Sequence, residues 1–227
     1  MTESNGLLSI VATPIGNMED MTLRALRVLK EADYILCEDT RVTGNLLKHY
    51  DIKTKTRRYD AHASESVHAG ILKDLEVGKK ITLVSDAGTP GISDPGVMLV
   101  TRARQARARI DAIPGASALT AAFSIAGIMG NSFVFLGFVP QKKGRQTFFK
   151  SLPTYNIPVM FYEAPHRIMK TLESLKDNLA IDSKVVVARE LTKMFEEVVT
   201  GSPEEVFQYF TDHPDHVRGE FVVMVDV

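Results

Sequence analysis

The stretch Ile81-Thr82-Leu83-Val84-Ser85-Asp86-Ala87-Gly88-Thr89-Pro90-Gly91-Ile92-Ser93-Asp94-Pro95-Gly96 decides the fold. It begins with a short apolar run rich in β-branched residues, which is the pattern of a buried strand. The eleven residues from Asp86 to Gly96 then contain three glycines, two prolines and two aspartates. An ordinary turn needs far fewer residues of this kind, so we predict a loop whose backbone amides and carbonyls hold a small ligand.

Short apolar segments recur along the chain and alternate with segments of helical periodicity. The predicted strands are residues 7–13, 34–38, 81–85, 110–113, 133–138, 159–162, 184–189, 197–200 and 220–227. The predicted helices are residues 22–32, 64–77, 116–126, 143–152, 166–178 and 203–210. This alternation indicates an α/β fold built from βαβ units with a mainly parallel sheet. The crowded later strands favour a mixed sheet that includes antiparallel pairs.

The glycines at positions 127 and 130 make the segment around them the best candidate linker. We therefore predict two α/β domains. Residues 1–127 would carry the glycine-rich loop, and residues 132–227 would contain the mixed sheet.

Composition excludes several classes of protein. The chain has 227 residues, of which 44% are hydrophobic and 24% charged, so disorder, a collagen-like fibre and a coiled coil are excluded. The single cysteine, Cys37, can form neither an internal disulfide nor a thiolate metal cage. No stretch approaches the ~18 apolar residues of a membrane span. We expect a cytoplasmic protein with no membrane segment and no metal site.

Ligands of open parallel sheets bind where the strands end, and distinctive motifs follow the predicted strands. They are Thr13-Pro14-Ile15-Gly16-Asn17, Glu38-Asp39-Thr40-Arg41, Pro114-Gly115-Ala116-Ser117-Ala118, Glu163-Ala164-Pro165-His166-Arg167 and Glu190-Leu191-Thr192-Lys193. The glycine-rich loop lacks the lysine of a phosphate-binding P-loop, and no G-x-G-x-x-G follows a strand. The motifs therefore disfavour nucleoside triphosphate and nicotinamide sites.

In this order, the motifs resemble the tetrapyrrole-methylase-fold family of S-adenosylmethionine (AdoMet) methyltransferases, over nearly the whole chain. Many tetrapyrrole-modifying members carry Gly-Asp-Pro where this chain has Gly88-Thr89-Pro90, so the resemblance is to the RNA-modifying branch. It implies a homodimer with AdoMet in a cleft between two α/β domains. It also implies ribosomal RNA or the small ribosomal subunit as partner. The implied reaction is 2′-O-methylation of a cytidine ribose in the decoding region of 16S ribosomal RNA.

The resemblance also implies residues for the cofactor. By motif, the AdoMet contacts are Pro14, Gly88, Thr89, Pro90, Gly91, Ile92, Ser117, Ala118, Tyr162 and Glu163.

A ribose hydroxyl is a poor nucleophile, so a general base near the site would help to remove its proton. The candidates after the strands are Glu38, Asp39, Glu163, His166 and Glu190. Among these we predict Asp39 or Glu163, with Arg41 beside Asp39 in the catalytic group. Each acid could instead cap a helix or brace a loop, which is an equally good interpretation of Glu38 and Asp39 because Asp-Thr also opens helices. Arg41 and Arg167 could likewise brace loops.

The chain has a net charge of −1, yet cations cluster locally. The predicted RNA contacts are Arg41, Arg57, Arg58, Lys142, Lys143, Arg145, Arg167 and Lys193. Solvated helix and loop faces are the alternative interpretation of each cluster.

Two other functions stay open at this point. A methyltransferase acting on a tetrapyrrole or another small molecule would lack a steeply salt-dependent affinity for RNA. A non-catalytic RNA-binding or assembly factor would fail to bind AdoMet in calorimetry.

Overall fold

The computed structural model describes residues 6–93 and 96–226, so Asp94 and Pro95 of the glycine-rich loop lie outside the described residues. The chain divides into two compact units, Met1–Ser117 and Ala118–Val227. Among the described residues, no helix has the length and apolar character needed to cross a membrane.

The first unit alternates strands with helices. Its elements are β1 (Leu7–Val11), α1 (Leu23–Glu31), β2 (Tyr34–Cys37), α2 (Thr40–His49), β3 (Thr56–Arg58), α3 (Glu65–Glu76), β4 (Lys80–Val84), α4 (Val97–Gln105) and β5 (Arg109–Ile113). The strand order is β3-β2-β4-β1-β5, and every neighbouring pair is parallel. All five strands therefore end at the same edge of the sheet, and the loops that follow them lie there.

Helices cover both faces of this sheet. Val11 and Ile35 pack with Leu29 of α1 on one face. Leu8 packs with Leu99 of α4 on the other face. Alternate residues of each strand point to opposite faces, so the apolar runs of β1, β2 and β4 are buried on both sides.

The second unit contains a mixed sheet. Its elements are α5 (Ala118–Ile125), β6 (Val134–Phe138), α6 (Arg145–Ser151), β7 (Val159–Glu163), α7 (Ile168–Asn178), β8 (Lys184–Arg189), β9 (Glu197–Gly201), α8 (Pro203–Asp212) and β10 (Phe221–Asp226). The strand order is β6-β7-β10-β8-β9. The pair β6 and β7 is parallel, whereas β10 runs antiparallel to β7 and β8, and β9 antiparallel to β8. The α/β fold class and the mixed sheet predicted from the sequence are confirmed.

The division between the units falls before α5, because α5 contacts β10 of the second sheet. The glycines at positions 127 and 130, where the sequence indicated a linker, therefore lie within the second unit.

Candidate active site

Three loops of the first unit are tied together where β1, β4 and β5 end. The backbone N–H of Thr13 donates to the carbonyl of Gly88 at 2.9 Å, and the N–H of Gly88 returns a bond at 3.1 Å. The buried hydroxyl of Thr13 also donates to the carbonyl of Ser85 at 3.0 Å. The hydroxyl of Thr89 donates to the carbonyl of Ala116 at 3.2 Å. These bonds fix the glycine-rich loop against both neighbouring loops.

Glycines at this meeting point let the loops approach each other closely. Gly88 and Gly91 have φ values of +80° and +84°, in the left-handed region that favours glycine. A Cβ atom on Gly88 would lie 3.2 Å from Cγ2 of Ile15. A Cβ atom on Gly115 would lie 3.0 Å from Cβ of Ala12. The loops are therefore packed as closely as glycine allows, which fixes their backbones against one another at this edge of the sheet.

A fourth loop, after β2, joins the same edge. The backbone N–H of Asp39 donates to Oδ1 of Asp86 at 3.2 Å, which ties the loop to the glycine-rich loop. Asp39 also caps α2, since its Oδ1 accepts the N–H of Arg41 at 2.8 Å, while Oδ2 binds Nη2 of Arg41 at 2.7 Å. The hydrogen bonds from Arg41 lower the pKa of Asp39 to about 2. Asp39 is therefore an ionised helix cap and a weak base.

Glu163 lies at the end of β7 and is fully buried. Its carboxylate pairs with Nη2 of Arg167 at 2.6 Å and Nη1 of Arg145 at 3.5 Å. It also accepts the hydroxyl of Thr171 at 2.5 Å and the N–H of Ala164 at 2.8 Å. Because its oxygens are engaged inside the second unit, Glu163 does not fit the predicted role of general base or AdoMet contact.

The same contacts revise the prediction for Arg145 and Arg167. Arg145 is buried and also donates to the hydroxyl of Thr171 at 2.8 Å. Arg167 also donates to the carbonyl of Val139 at 2.9 Å. Both guanidinium groups balance the charge of Glu163 within the protein, so neither is placed to hold an RNA phosphate.

Comparison with known proteins settles the family. A family model of tetrapyrrole (corrin/porphyrin) methylases matches residues 7–206. The chain belongs to this methylase family. The resemblance expected from its motifs is thereby confirmed, and the chain is a methyltransferase.

Two relatives of this methylase carry the name ribosomal RNA small subunit methyltransferase I. The protein of Halalkalibacterium halodurans is 43% identical, over 99% of this chain and 77% of its own length. The protein of Thermotoga maritima is also 43% identical, over 90% of this chain and 92% of its own.

Solved structures share the fold of the methylase at low identity. A cobalt precorrin-4 methyltransferase matches with a TM-score of 0.72 and 16% identity, over 99% of this chain and 96% of that chain. The uroporphyrin-III-C-methyltransferase from Thermus thermophilus matches with a TM-score of 0.67 and 18% identity, over 97% and 94%. These likenesses show the fold alone.

The structure brings most of the predicted cofactor residues of the methylase to one place. Pro14, the residues from Gly88 to Ile92, and Ser117 lie in the three loops at the edge of the first sheet. Ala118 and Tyr162 belong to the second unit, where Tyr162 packs against Phe138 with ring centroids 5.3 Å apart. Their contact with the cofactor stays a prediction.

The predicted RNA contacts of the methylase differ in whether an acidic side chain pairs with them and in how exposed they are. The guanidinium of Arg57 pairs with Asp74 and stacks 3.7 Å above the ring of Tyr34. Arg58 pairs with Asp60 at 3.2 Å, and Lys193 binds both Glu190 and Glu220. Lys142 and Lys143 are exposed in the segment that follows β6. Arg41 pairs with Asp39, yet 89% of its side chain is exposed.

Two site residues were missed in the sequence. Asp86 accepts the N–H of Asp39, and the hydroxyl of Thr13 binds the carbonyls of Ser85 and Gly88. Both residues belong to motifs that follow predicted strands: Asp86 follows β4, and Thr13 follows β1. Their contacts could not be predicted, because the sequence does not reveal the strand order, in which β4 lies between β1 and β2.

A separate groove of about 480 Å³ lies between α1 and the edge strand β5. Arg24, Arg27 and Arg109 line it. Arg24 donates to the carbonyl of Ala112, Arg27 pairs with Glu31, and Arg109 pairs with Asp111. Protein groups therefore engage these three cations, and we assign this groove no ligand.

Proposed function

We propose that this methylase transfers a methyl group from AdoMet to the ribose 2′-hydroxyl of a cytidine in the decoding region of 16S ribosomal RNA. Relatives 43% identical to it are named ribosomal RNA small subunit methyltransferase I, which supports the substrate. The observation that carries the proposal is the group of backbone-lined loops joined through the bonds between Thr13 and Gly88.

AdoMet fits the chemistry of these loops. It has an ammonium group, a carboxylate and an adenine edge, which are recognised by carbonyl acceptors and amide donors. The crowding that a Cβ atom would meet at Gly88 and Gly115 means that the chain itself approaches closely there, without bulky side chains. We propose that Pro14, Gly88 to Ile92, and Ser117 hold the cofactor.

When bound, AdoMet supplies an electrophilic methyl group on a sulfonium sulfur. The protein's main contribution is then to place the ribose oxygen in line with that methyl group. We propose that Asp39 accepts a hydrogen bond from the ribose hydroxyl and orients it. Its low pKa suits this role better than proton abstraction in a separate step, so the hydroxyl proton would leave only as the new oxygen–carbon bond forms, and would pass by way of Asp39 to water.

Arg41 is then a positioning residue, because it holds the carboxylate of Asp39 through two bonds. The outward exposure of its side chain also suits contact with an adjacent phosphate.

The substrate would be ribosomal RNA, free or within the small subunit, which implies work in the cytoplasm. A homodimer is proposed from the motif resemblance.

The test is labelling of small ribosomal subunits from cells that lack this protein. Purified protein and AdoMet with a labelled methyl group should label 16S RNA at one cytidine ribose in the decoding region. Calorimetry should detect AdoMet binding to the protein alone. Label on a base, or on a tetrapyrrole instead of RNA, would overturn the proposed substrate, and failure to bind AdoMet would overturn the proposed enzyme.

A further inference from the structure

We propose that the loop at Glu190–Glu196, here named the Phe195 loop, stacks its phenylalanine against an unpaired base of the RNA substrate. This inference rests on the proposed function. It assigns a contact that the motifs did not predict, since only Lys193 of this loop was among the expected RNA contacts.

The Phe195 loop lies at the edge of the second sheet where β6, β7 and β8 end. Both β7 and β8 are antiparallel to β10, so they run in the same direction, and β6 is parallel to β7. The loop follows β8, while Lys142 and Lys143 follow β6. Carboxyl ends of strands that point the same way are a usual position for ligand contacts.

Hydrogen bonds hold the Phe195 loop in one conformation. The carboxylate of Glu196 accepts the N–H of Thr192 at 2.6 Å, and the N–H of Glu196 donates to the carbonyl of Lys193 at 3.1 Å. The ammonium of Lys193 binds Glu190 at 2.8 Å and Glu220 at 2.9 Å. Leu191 is buried and anchors the base of the loop.

The backbone of the loop is also strained. Glu190 and Thr192 have φ values of +49° and +65°. A β-branched residue such as Thr192 rarely occupies this region, and such strain persists where the surroundings enforce it, often at functional sites. A Cβ atom on the neighbouring Gly219 would collide with the carboxylate of Glu190, so the loop packs where only glycine fits.

This rigid loop presents two large apolar side chains to solvent. Met194 is 90% exposed and Phe195 is 67% exposed. Side chains held out on an ordered loop lose little further freedom when they bind a partner. The flat ring of Phe195 offers a face on which any base can stack.

The charges around the loop favour a nucleic acid as the occupant. Lys142, Lys143 and Arg218 are exposed at the same edge of the sheet and can meet phosphates, whereas Lys193 is paired with Glu190 and Glu220. The acids Glu190, Glu196 and Glu220 at this edge bind groups of the loop or, for Glu190, also the N–H of its neighbour Glu220.

A second exposed ring, Phe138, ends β6. Across the sheet, Phe138 is in register with Ala188 of β8, the strand that leads into the Phe195 loop. The two residues are three strand spacings apart, or about 14 Å. Two exposed rings and several cations along one edge match a short single strand of RNA.

The experiment uses the full chain and a single-stranded RNA oligonucleotide of the decoding-region sequence. One base beside the target cytidine is replaced by 2-aminopurine, whose fluorescence falls when it stacks. We expect Phe195→Ala to raise the Kd for this RNA at least about tenfold and to abolish the quenching. Phe195→Tyr keeps an aromatic ring, so it should retain both the RNA affinity and the fluorescence quenching. AdoMet affinity should stay unchanged in both variants.

Ile181→Ala is the matched control, because Ile181 is 84% exposed in the turn before β8, at the opposite edge of the sheet. It should leave RNA binding unchanged. Equal RNA affinity of Phe195→Ala and the unchanged protein would overturn the stacking contact. A change in oligomeric state in Phe195→Ala would instead identify a second copy as the occupant, and would also overturn it.

The stacking inference and the proposed function fail differently. If the unchanged protein neither binds AdoMet nor labels RNA, the proposed function fails. If it labels 16S RNA and Phe195→Ala labels it with the same KM, only the stacking contact is overturned.

Discussion

At the scale of single residues, the hydroxyl of Thr13 joins two strand ends. It is buried and donates to the carbonyl of Ser85 at 3.0 Å. Thr13→Val keeps the volume and removes the donor, so it should lower the free energy of unfolding by about 1–2 kcal/mol. Urea denaturation measures this, with Thr101→Val as the control, because Thr101 loses a similar bond on an exposed helix. Equal losses of unfolding free energy in the two variants would show that the buried bond of Thr13 stabilises the fold no more than the exposed bond of Thr101 does.

Asp39 gives a prediction for acid stability. Its pKa in the folded protein is about 2, because Arg41 binds its carboxylate, whereas an unfolded aspartate titrates near ~3.9. A lowered pKa contributes stability above the unfolded value and loses it as the pH falls through the folded value. Thermal unfolding between about pH 5 and pH 2 should therefore show a loss in the unchanged protein that is smaller in Asp39→Asn. Asparagine can still cap α2, which makes it the matched variant. A carboxyl titration midpoint near ~4 by NMR would contradict this prediction.

At the scale of elements, the glycine-rich loop depends on the space around Gly88. Gly88 and Gly78 both have positive φ, so alanine is strained at either position. Only at Gly88 would the added Cβ crowd another loop, at 3.2 Å from Ile15, whereas nothing lies within 4 Å at Gly78. Gly88→Ala should weaken AdoMet binding at least about tenfold in calorimetry, which corresponds to ~1.4 kcal/mol. Gly78→Ala should change only stability, and equal AdoMet affinities in the two variants would refute the placement of the cofactor.

The buried carboxylate of Glu163 links α6, β7 and α7 through Arg145, Arg167 and Thr171. Glu163→Gln leaves two buried guanidinium groups without their counter-charge, so it should lower the free energy of unfolding by about 3–5 kcal/mol. The control is Glu204→Gln, which breaks an exposed pair with Lys176 and should cost less than about 1 kcal/mol. Urea denaturation compares the two. Similar small losses in both would show that Glu163 does not hold these elements together.

These contacts also show what the sequence could predict at this scale. Apolar runs predicted the central strands β1, β2 and β4, because burial on both faces leaves a clear pattern. The strand β3 was missed, since Thr56–Arg58 is short and polar. The Asp-Thr pattern did indicate the helix cap that Asp39 forms. The position of Glu163 after a strand could not distinguish a base from a buried ion pair, because Arg145 and Thr171 reach it only through the packing of α6 and α7.

At the scale of the whole molecule, a net charge of −1 cannot attract RNA by itself. Affinity for phosphates must come from exposed cations, and burial has removed Arg145 from that set. Replacing Lys142 and Lys143 by alanine should therefore reduce the slope of log Kd against log salt by about 0.7 for each lysine, as expected for single strands. Anisotropy titrations of single-stranded RNA over a series of salt concentrations measure the slope. Arg27→Ala is the control, because its charge pairs with Glu31 on α1. An unchanged slope in the double lysine variant would mean that the phosphates lie elsewhere, whereas equal changes in the control would mean that only total charge matters.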